Sequence, residues 1–249
     1  MKWYRELLSV KGRRESGYFL IEGKRAVEQI LRTAPESVEE LLCSDENELH
    51  PSFSGIPFRS VAPGRLSSIS ASVHPQGILA LVRIPEGSND GTLPEQPGER
   101  IVLLDEVQDP GNIGTIIRSA AAFNFSGLLL TSGCADPFGP KAVQASAGAI
   151  FGPWIRRSAD CMAMVAELQR GGYQLWGADV NGTAQVDFTG GNPMILALGN
   201  EGAGLSAAVR KMADALFAIP MNDNAVESLN VAVSGAIAFF TAFRGLRWE

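Results

Sequence analysis

Cysteine and histidine are scarce in this chain. The three cysteines, Cys43, Cys134 and Cys161, stand far apart. They form neither a disulfide framework nor the close Cys/His spacing of a metal site. Buried or free thiols in a reducing cytoplasm are expected, with no metal. The two histidines, His50 and His74, lie near prolines and are expected in loops, without a ligand or catalytic role. No apolar run approaches the roughly 20 residues that a membrane-spanning helix needs, and Met1–Glu6 has no apolar stretch of the secretory type. No Gly-x-x-x-x-Gly-Lys-[Ser/Thr] run occurs, which argues against a P-loop nucleotidase. Blocks of one charge are also missing: 21 Lys and Arg against 27 Asp and Glu leave a formal net charge of −6. A protein that coats nucleic acid by bulk charge would be basic. A local basic face remains open.

What is present is a core. Apolar residues make up 45% of 249, enough for one large domain or two small ones. The run Pro85–Glu99 is glycine, proline and polar residues without periodicity and reads as a linker. It separates a domain over 1–84 from one over 100–249. In the first part, Tyr18–Glu22, Val38–Cys43 and Gly77–Val82 are expected strands. Gly23–Leu31 is an amphipathic helix with Ala26, Val27, Ile30 and Leu31 on one face. No catalytic constellation occurs there. The basic residues Lys2, Arg5, Lys11, Arg13, Arg14, Lys24, Arg25 and Arg32 form either a solvated helix surface or a recognition face.

Beyond the linker, strands are expected at 101–104, 127–131, 173–178, 194–198 and 216–219. Helices are expected at 113–123, 140–147, 163–169, 206–212 and 229–243. Alternation of fully apolar strands with helices predicts a parallel sheet covered on both faces.

Three strand-to-loop edges carry polar groups, the pattern of a pocket at strand ends. In the first, Asn112 stands at a helix entry after the turn Asp109-Pro110-Gly111, where capping is its simplest role. Arg118 follows within two turns; it can reach back to the strand ends and grip phosphate bidentately. In the second, Gly199-Asn200-Glu201-Gly202-Ala203-Gly204 follows a buried strand. Gly202, Gly204 and Ala207 spell a dinucleotide fingerprint, with Asp223 about twenty residues on. Too little chain follows for the strand–helix units such a fold requires. The surviving reading is a loop whose backbone closely approaches a ligand. Glu201 is placed there to bind that ligand or to orient an arginine. The third edge runs through Ile219-Pro220-Met221 to Ser228 and Asn230, with Ser228 the expected cap of the last helix.

In order and wording, Asn112-x-Gly114-x-x-x-Arg118, then Gly199-Asn200-Glu201-Gly202-x-Gly204-Leu205, then Ile219-Pro220-Met221 with Ser228-Leu229-Asn230-Val231-Ala232-Val233, resemble the three motifs of the SpoU (TrmH) family of RNA 2′-O-ribose methyltransferases, in the SPOUT superfamily. The resemblance runs over about 100–249. Ile21-Glu22-Gly23 and Gly77–Val82 are similar, more loosely, to the family's ribosomal-protein-like substrate-binding domain. It implies an α/β fold: a parallel-sheet methyltransferase domain with a C-terminal trefoil knot, preceded by a small α/β domain, in a homodimer with the pocket near the subunit interface. The implied cofactor is S-adenosylmethionine. Its adenine and ribose would lie among Leu198, Gly199, Asn200 and Gly202, then Ile219, Pro220 and Met221, then Ser228, Leu229 and Asn230.

The implied reaction is methyl transfer to a ribose hydroxyl without a metal. Arg118 would position the ribose and share in its deprotonation, and Asn112, Glu201, Ser228 and Asn230 would shape the site. RNA is the implied partner. Ribosomal RNA is favoured by the separate N-terminal module, and Arg13, Arg14, Lys24 and Arg25 are its expected contacts. The alternatives are a transfer-RNA enzyme, a non-catalytic RNA-binding member of the fold, and a dinucleotide-dependent oxidoreductase. One departure stands out: many relatives carry a glycine between Met221 and Ser228, where this chain has Asn222-Asp223-Asn224-Ala225-Val226-Glu227. Asparagine tolerates the left-handed backbone such a turn needs.

Overall fold

The structure is a computed structural model that describes residues 1–249 except 45–54, 73–74, 184–185, 189–190, 223, 246 and 249. His50, His74 and Asp223 therefore lie outside the described residues. The chain forms two compact units, Met1–Glu86 with Asp136–Phe151, and Gly87–Ala135 with Gly152–Glu249.

In the first unit the elements are α1 (Lys2–Glu6), α2 (Val10–Ser16), β1 (Tyr18–Glu22), α3 (Lys24–Thr33), β2 (Val38–Cys43), β3 (Phe58–Ser60), α4 (Pro63–Ser67) and β4 (Ile78–Arg83). The sheet order is β1-β4-β2-β3, with β4 antiparallel to both β1 and β2. Helix α3 buries Val27, Ile30 and Leu31, as its periodicity predicts. Helices α1 and α2 span 5 and 7 residues, too short for a periodic signal. The inserted segment 136–151 packs here through Phe138 and Phe151, 5.3 and 6.2 Å from Phe19 between ring centroids.

Arg13 corrects an expectation. It is only 3% exposed. Its Nε and Nη2 donate to Asp136 Oδ2 at 3.0 and 2.6 Å, and its Nη1 to the Leu7 carbonyl at 2.7 Å. This guanidinium is held in a buried ion pair and is not available to an RNA phosphate. Arg14, one residue along α2, is exposed, as are Lys24 and Arg25 at the start of α3.

The second unit carries β5 (Arg100–Leu104), α5 (Pro110–Ala122) and β6 (Gly127–Thr131). Helix α6 (Pro140–Ser146) belongs to the segment lent to the first unit. Then follow β7 (Trp154–Ser158), α7 (Cys161–Arg170), β8 (Gln174–Thr183), β9 (Val186–Asp187), β10 (Met194–Leu198), α8 (Ala207–Met212), β11 (Ala215–Phe217), α9 (Val231–Arg244) and β12 (Arg247–Trp248). Six strands pair in the order β11-β8-β10-β5-β6-β7, every pair parallel. Ile101, Leu103, Leu129, Ile195 and Ala197 alternate along their strands into one core with Met164, Val165 and Leu168 of α7 and Val209 of α8. On the opposite face α9 approaches so closely that a Cβ on Gly235 would come 2.8 Å from Leu198 Cδ1. Small residues are needed there.

The run 85–99 does not behave as a free linker. Ser88 is buried, and its carbonyl accepts from Arg157 N at 2.8 Å. The Thr92 and Pro97 carbonyls accept from Arg156 Nε (3.0 Å) and Trp154 Nε1 (2.9 Å). These residues strap the edge strand β7, which the arginine pair in its sequence concealed. The carbonyls of Ser88, Thr92 and Pro97 thus meet one backbone N–H and two polar side chains of the strand, so that both sides are satisfied. All three cysteines are buried and none is disulfide-bonded; burial pushes the Cys161 thiol up to about 12. Among the described residues, no helix is long and apolar enough to cross a membrane.

Candidate cofactor and active site

Strand β10 lies between β5 and β8, so the order of the sheet changes direction beside β5. Loops leaving the carboxyl ends of strands diverge at such a point and open a crevice. The crevice here has a volume of about 520 Å³ and is walled by Leu198–Gly204, Ile219, Met221 and Glu227–Val231, with Asp179 and Arg210 at one side. That size suits a small-molecule ligand.

The glycine loop is a tight turn. Asn200 and Gly204 exchange backbone hydrogen bonds at 2.9 Å each, and Asn200 Oδ1 accepts from Gly202 N and Ala203 N at 3.0 Å. A Cβ on Gly199 would fall 2.2 Å from the Gly204 carbonyl carbon, and Gly204 has φ +70°. Asn200 Nδ2 donates to the Glu106 carbonyl at 2.8 Å. Glu106 itself has φ 59°, and its N–H donates to Thr131 Oγ1 at 2.9 Å.

From this turn Glu201 reaches the loop after β5. Its carboxylate accepts from Gln108 N (3.2 Å), Asp109 N (3.1 Å) and Asn112 Nδ2 (2.9 Å). Partial burial alone would push this carboxyl up. The Asn112 amide and the backbone N–H groups outweigh burial and hold its pKa below the usual glutamate value. Asn112 Oδ1 accepts from Asn230 Nδ2 at 3.0 Å. Asn230 Oδ1 accepts from Ala232 N (2.9 Å) and Val233 N (3.3 Å) at the start of α9. One directed chain thus runs from the α9 N-terminus through two amides to a carboxylate, and each amide uses its donor end and its acceptor end.

Two capping expectations are corrected by this chain. Helix α5 begins at Pro110, and its cap is Asp109, which accepts from Asn112 N at 3.0 Å. Asn112 therefore lies inside the first turn with its side chain free for Glu201. Helix α9 is capped by Asn230, not Ser228. In each case the capping side chain belongs to the residue immediately before the first helical one, Asp109 before Pro110 and Asn230 before Val231, where its oxygen meets the free N–H groups of the first turn.

The structure brings Asn112, Glu201 and Asn230 together, and it lines the crevice with Leu198, Gly199, Asn200, Gly202, Ile219, Met221, Ser228 and Leu229. Pro220 is exposed and outside the lining. Arg118 is exposed on α5, does not line the crevice, and has no hydrogen bond or ion pair among the described residues. Six residues of helix rotate a side chain about 240° around the axis. Asn112 and Arg118 therefore face different ways, and the expected reach back within one chain does not occur. Sequence reasoning missed Asp179, Arg210, Phe217 and Ser234, which also line the crevice. An acid closing the apolar run Leu175-Trp176-Gly177-Ala178 was the available signal for the first.

A parallel α/β sheet with a polar-braced crevice at its switch point is the architecture of the ligand-binding α/β class. The chain belongs to the SpoU rRNA Methylase family, whose model matches residues 99–240. The MRM3-like substrate binding domain matches residues 1–80. The chain is 33% identical over 243 residues to the 23S rRNA (guanosine(2553)-2′-O)-methyltransferase RlmP of Bacillus subtilis, covering 96% of this chain and 94% of that protein. The solved structure of the SpoU methyltransferase AviRb from Streptomyces viridochromogenes, in complex with AdoMet, superposes with a TM-score of 0.83 at 30% identity, over 98% of this chain and 96% of that one. An AdoMet-bound rRNA methyltransferase from Sinorhizobium meliloti gives 0.81 at 30% identity, over 98% and 93%.

Proposed function

We propose that the protein transfers a methyl group from S-adenosylmethionine to a ribose 2′-hydroxyl of ribosomal RNA. The observation that carries this reading is the Glu201–Asn112–Asn230 chain, which ties the first motif segment to the two segments that wall a crevice of cofactor size. The residues present fit the cofactor. Leu198, Ile219 and Leu229 offer apolar walls and backbone groups to a flat base, and Gly202 leaves open space, with its nearest neighbour 3.7 Å from a built Cβ. When bound, the cofactor supplies an electrophilic methyl group on a sulfonium that departs as a neutral thioether. Much of the protein's own contribution is alignment.

Arg118 is the group for the ribose. A guanidinium normally keeps its proton, so Arg118 orients the hydroxyl while the proton passes to water or an RNA phosphate. Because Arg118 faces away from its own crevice, it serves the crevice of a second subunit. A homodimer is supported by an apolar face on α9, where Val233, Phe240 and Phe243 are 48, 47 and 39% exposed. Phe123 packs on the latter two at 5.8 and 6.0 Å. The C-terminal trefoil knot belongs to the same reading, supported by the entry of β10 between β5 and β8. Arg14, Lys24 and Arg25 are the RNA contacts, and a ribosomal RNA substrate puts the protein in the cytoplasm.

The test is methyl transfer from labelled S-adenosylmethionine to ribosomal and transfer RNA, with mass mapping of the product. A 2′-O-methyl nucleotide in ribosomal RNA, lost in Arg118→Ala while S-adenosylhomocysteine still binds, is expected. Base methylation, transfer RNA as the better acceptor, or turnover retained by Arg118→Ala each overturns the corresponding part.

A further inference from the structure

The charged side chains among the described residues that line the crevice are Asp179, Glu201, Glu227 and Arg210. Three are acids and one is a cation. The cofactor carries two cationic groups, its sulfonium and its α-ammonium, and one anion, its α-carboxylate. Charge complementarity therefore leaves one side chain for the carboxylate.

That side chain is held in place from two directions. Arg210 Nε donates to the Leu205 carbonyl at 3.0 Å, and Nη1 donates to Asp179 Oδ2. The Asp179 side chain is 1% exposed against 38% for Arg210, and Asp179 Oδ1 accepts from Asn181 N at 2.9 Å. The acid is thus committed to bracing, while the arginine keeps an open edge. Its Nη2 has no hydrogen bond among the described residues and stands beside the glycine turn, 3.4 Å from where a Cβ on Gly204 would sit. A side chain at Gly204 would crowd that edge. A guanidinium already braced at Nε and Nη1 has little further freedom to lose when it binds an oxyanion.

We infer that Arg210, braced by Asp179, binds the α-carboxylate of S-adenosylmethionine, and that this pair sets the preference for a ligand bearing the amino-acid chain. The inference rests on the cofactor reading above. An RNA phosphate is the other oxyanion that could meet the same edge, and the experiment separates the two.

Titration calorimetry on the full chain compares S-adenosylhomocysteine with 5′-methylthioadenosine, which keeps the adenosine and lacks the amino-acid chain. Replacing Arg210 alone would strand a buried carboxylate, so the variant is the neutral pair Asp179→Asn with Arg210→Gln. S-adenosylhomocysteine should weaken by roughly 10- to 100-fold, the range for a lost charge-assisted bond, with methylthioadenosine unchanged. If the variant loses both ligands, Arg210→Lys decides. A smaller preference for S-adenosylhomocysteine over methylthioadenosine than in the wild type supports the inference, and an equal preference overturns it. Unchanged S-adenosylhomocysteine affinity in the neutral pair also overturns it, including the case where only binding of ribosomal RNA weakens. A wild-type chain that binds neither nucleoside overturns the cofactor reading itself.

Discussion

Asn230 does two jobs that one substitution can separate. Its Oδ1 caps α9, and its Nδ2 donates to Asn112. Asn230→Ala removes both functions. Loss of a cap costs about 1 kcal/mol, which in a domain of this size lowers Tm by roughly 2–4 °C. Asn230→Asp keeps the acceptor and adds a negative charge at a helix N-terminus, where it is favourable. Its Tm should therefore stay at or slightly above that of the wild type.

The bridge behaves differently. With Asp at 230, Asn112 stands between two carboxylates, and one amide has a single donor end. Either Glu201 or residue 230 then faces an oxygen. The lost bond and the acceptor–acceptor contact together cost about 1–2 kcal/mol, or roughly 5- to 30-fold in S-adenosylhomocysteine affinity. Scanning fluorimetry reads the first effect and calorimetry the second. Repeating Asn230→Asp in an Asn112→Ala background should remove most of the affinity loss, because the partner is gone. A Tm for Asn230→Asp as low as that of Asn230→Ala would refute the capping argument. An affinity loss that persists without Asn112 would refute the bridge.

Three further outcomes follow from the geometry. The Glu201 carboxyl lies below its usual value of 4.5; its contribution is complete above that pH and is lost as pH falls through the lowered value. S-adenosylhomocysteine affinity should hold from neutrality to about pH 5 and drop in more acid solution, and Glu201→Gln should flatten that limb of a calorimetric pH series. Arg13→Ala leaves Asp136 without its 2.6 Å partner and should destabilise the protein by about 2–4 kcal/mol, whereas Arg14→Ala should stay within about 0.5 kcal/mol and reduce the salt dependence of RNA binding. Denaturation and filter binding at several salt concentrations check both. Gly199→Ala drives a methyl to 2.2 Å from the Gly204 backbone, while Gly202→Ala meets nothing nearer than 3.7 Å. Calorimetry should show a loss of more than about tenfold in S-adenosylhomocysteine affinity for the first, by steric displacement of the turn, and a minor change for the second.

The apolar runs of β5, β6 and β10 were enough to predict a parallel sheet, because strands buried on both faces leave no polar alternation to misread. The glycine turn was equally legible: the glycines of 199–204 permit a positive φ at Gly204 and a close backbone approach at Gly199 that a side chain would block. The order of the three motifs then carried the family. What the sequence could not settle was direction. Arg13 and Arg14 are neighbours of one type, yet one is buried and the other exposed, because a helix turns about 100° per residue and packing alone chooses its inner face. Arg118 leaves its crevice for the same reason. Capping moved to Asp109 and Asn230 because a choice among adjacent polar residues depends on backbone angles that composition does not record. Asp179 and Arg210, from a strand and a distant helix, meet only when β8 and α8 fold against each other. Local chemistry repeats along the chain and can be read there, whereas the facing of a side chain and its long-range partners exist only once the core has packed.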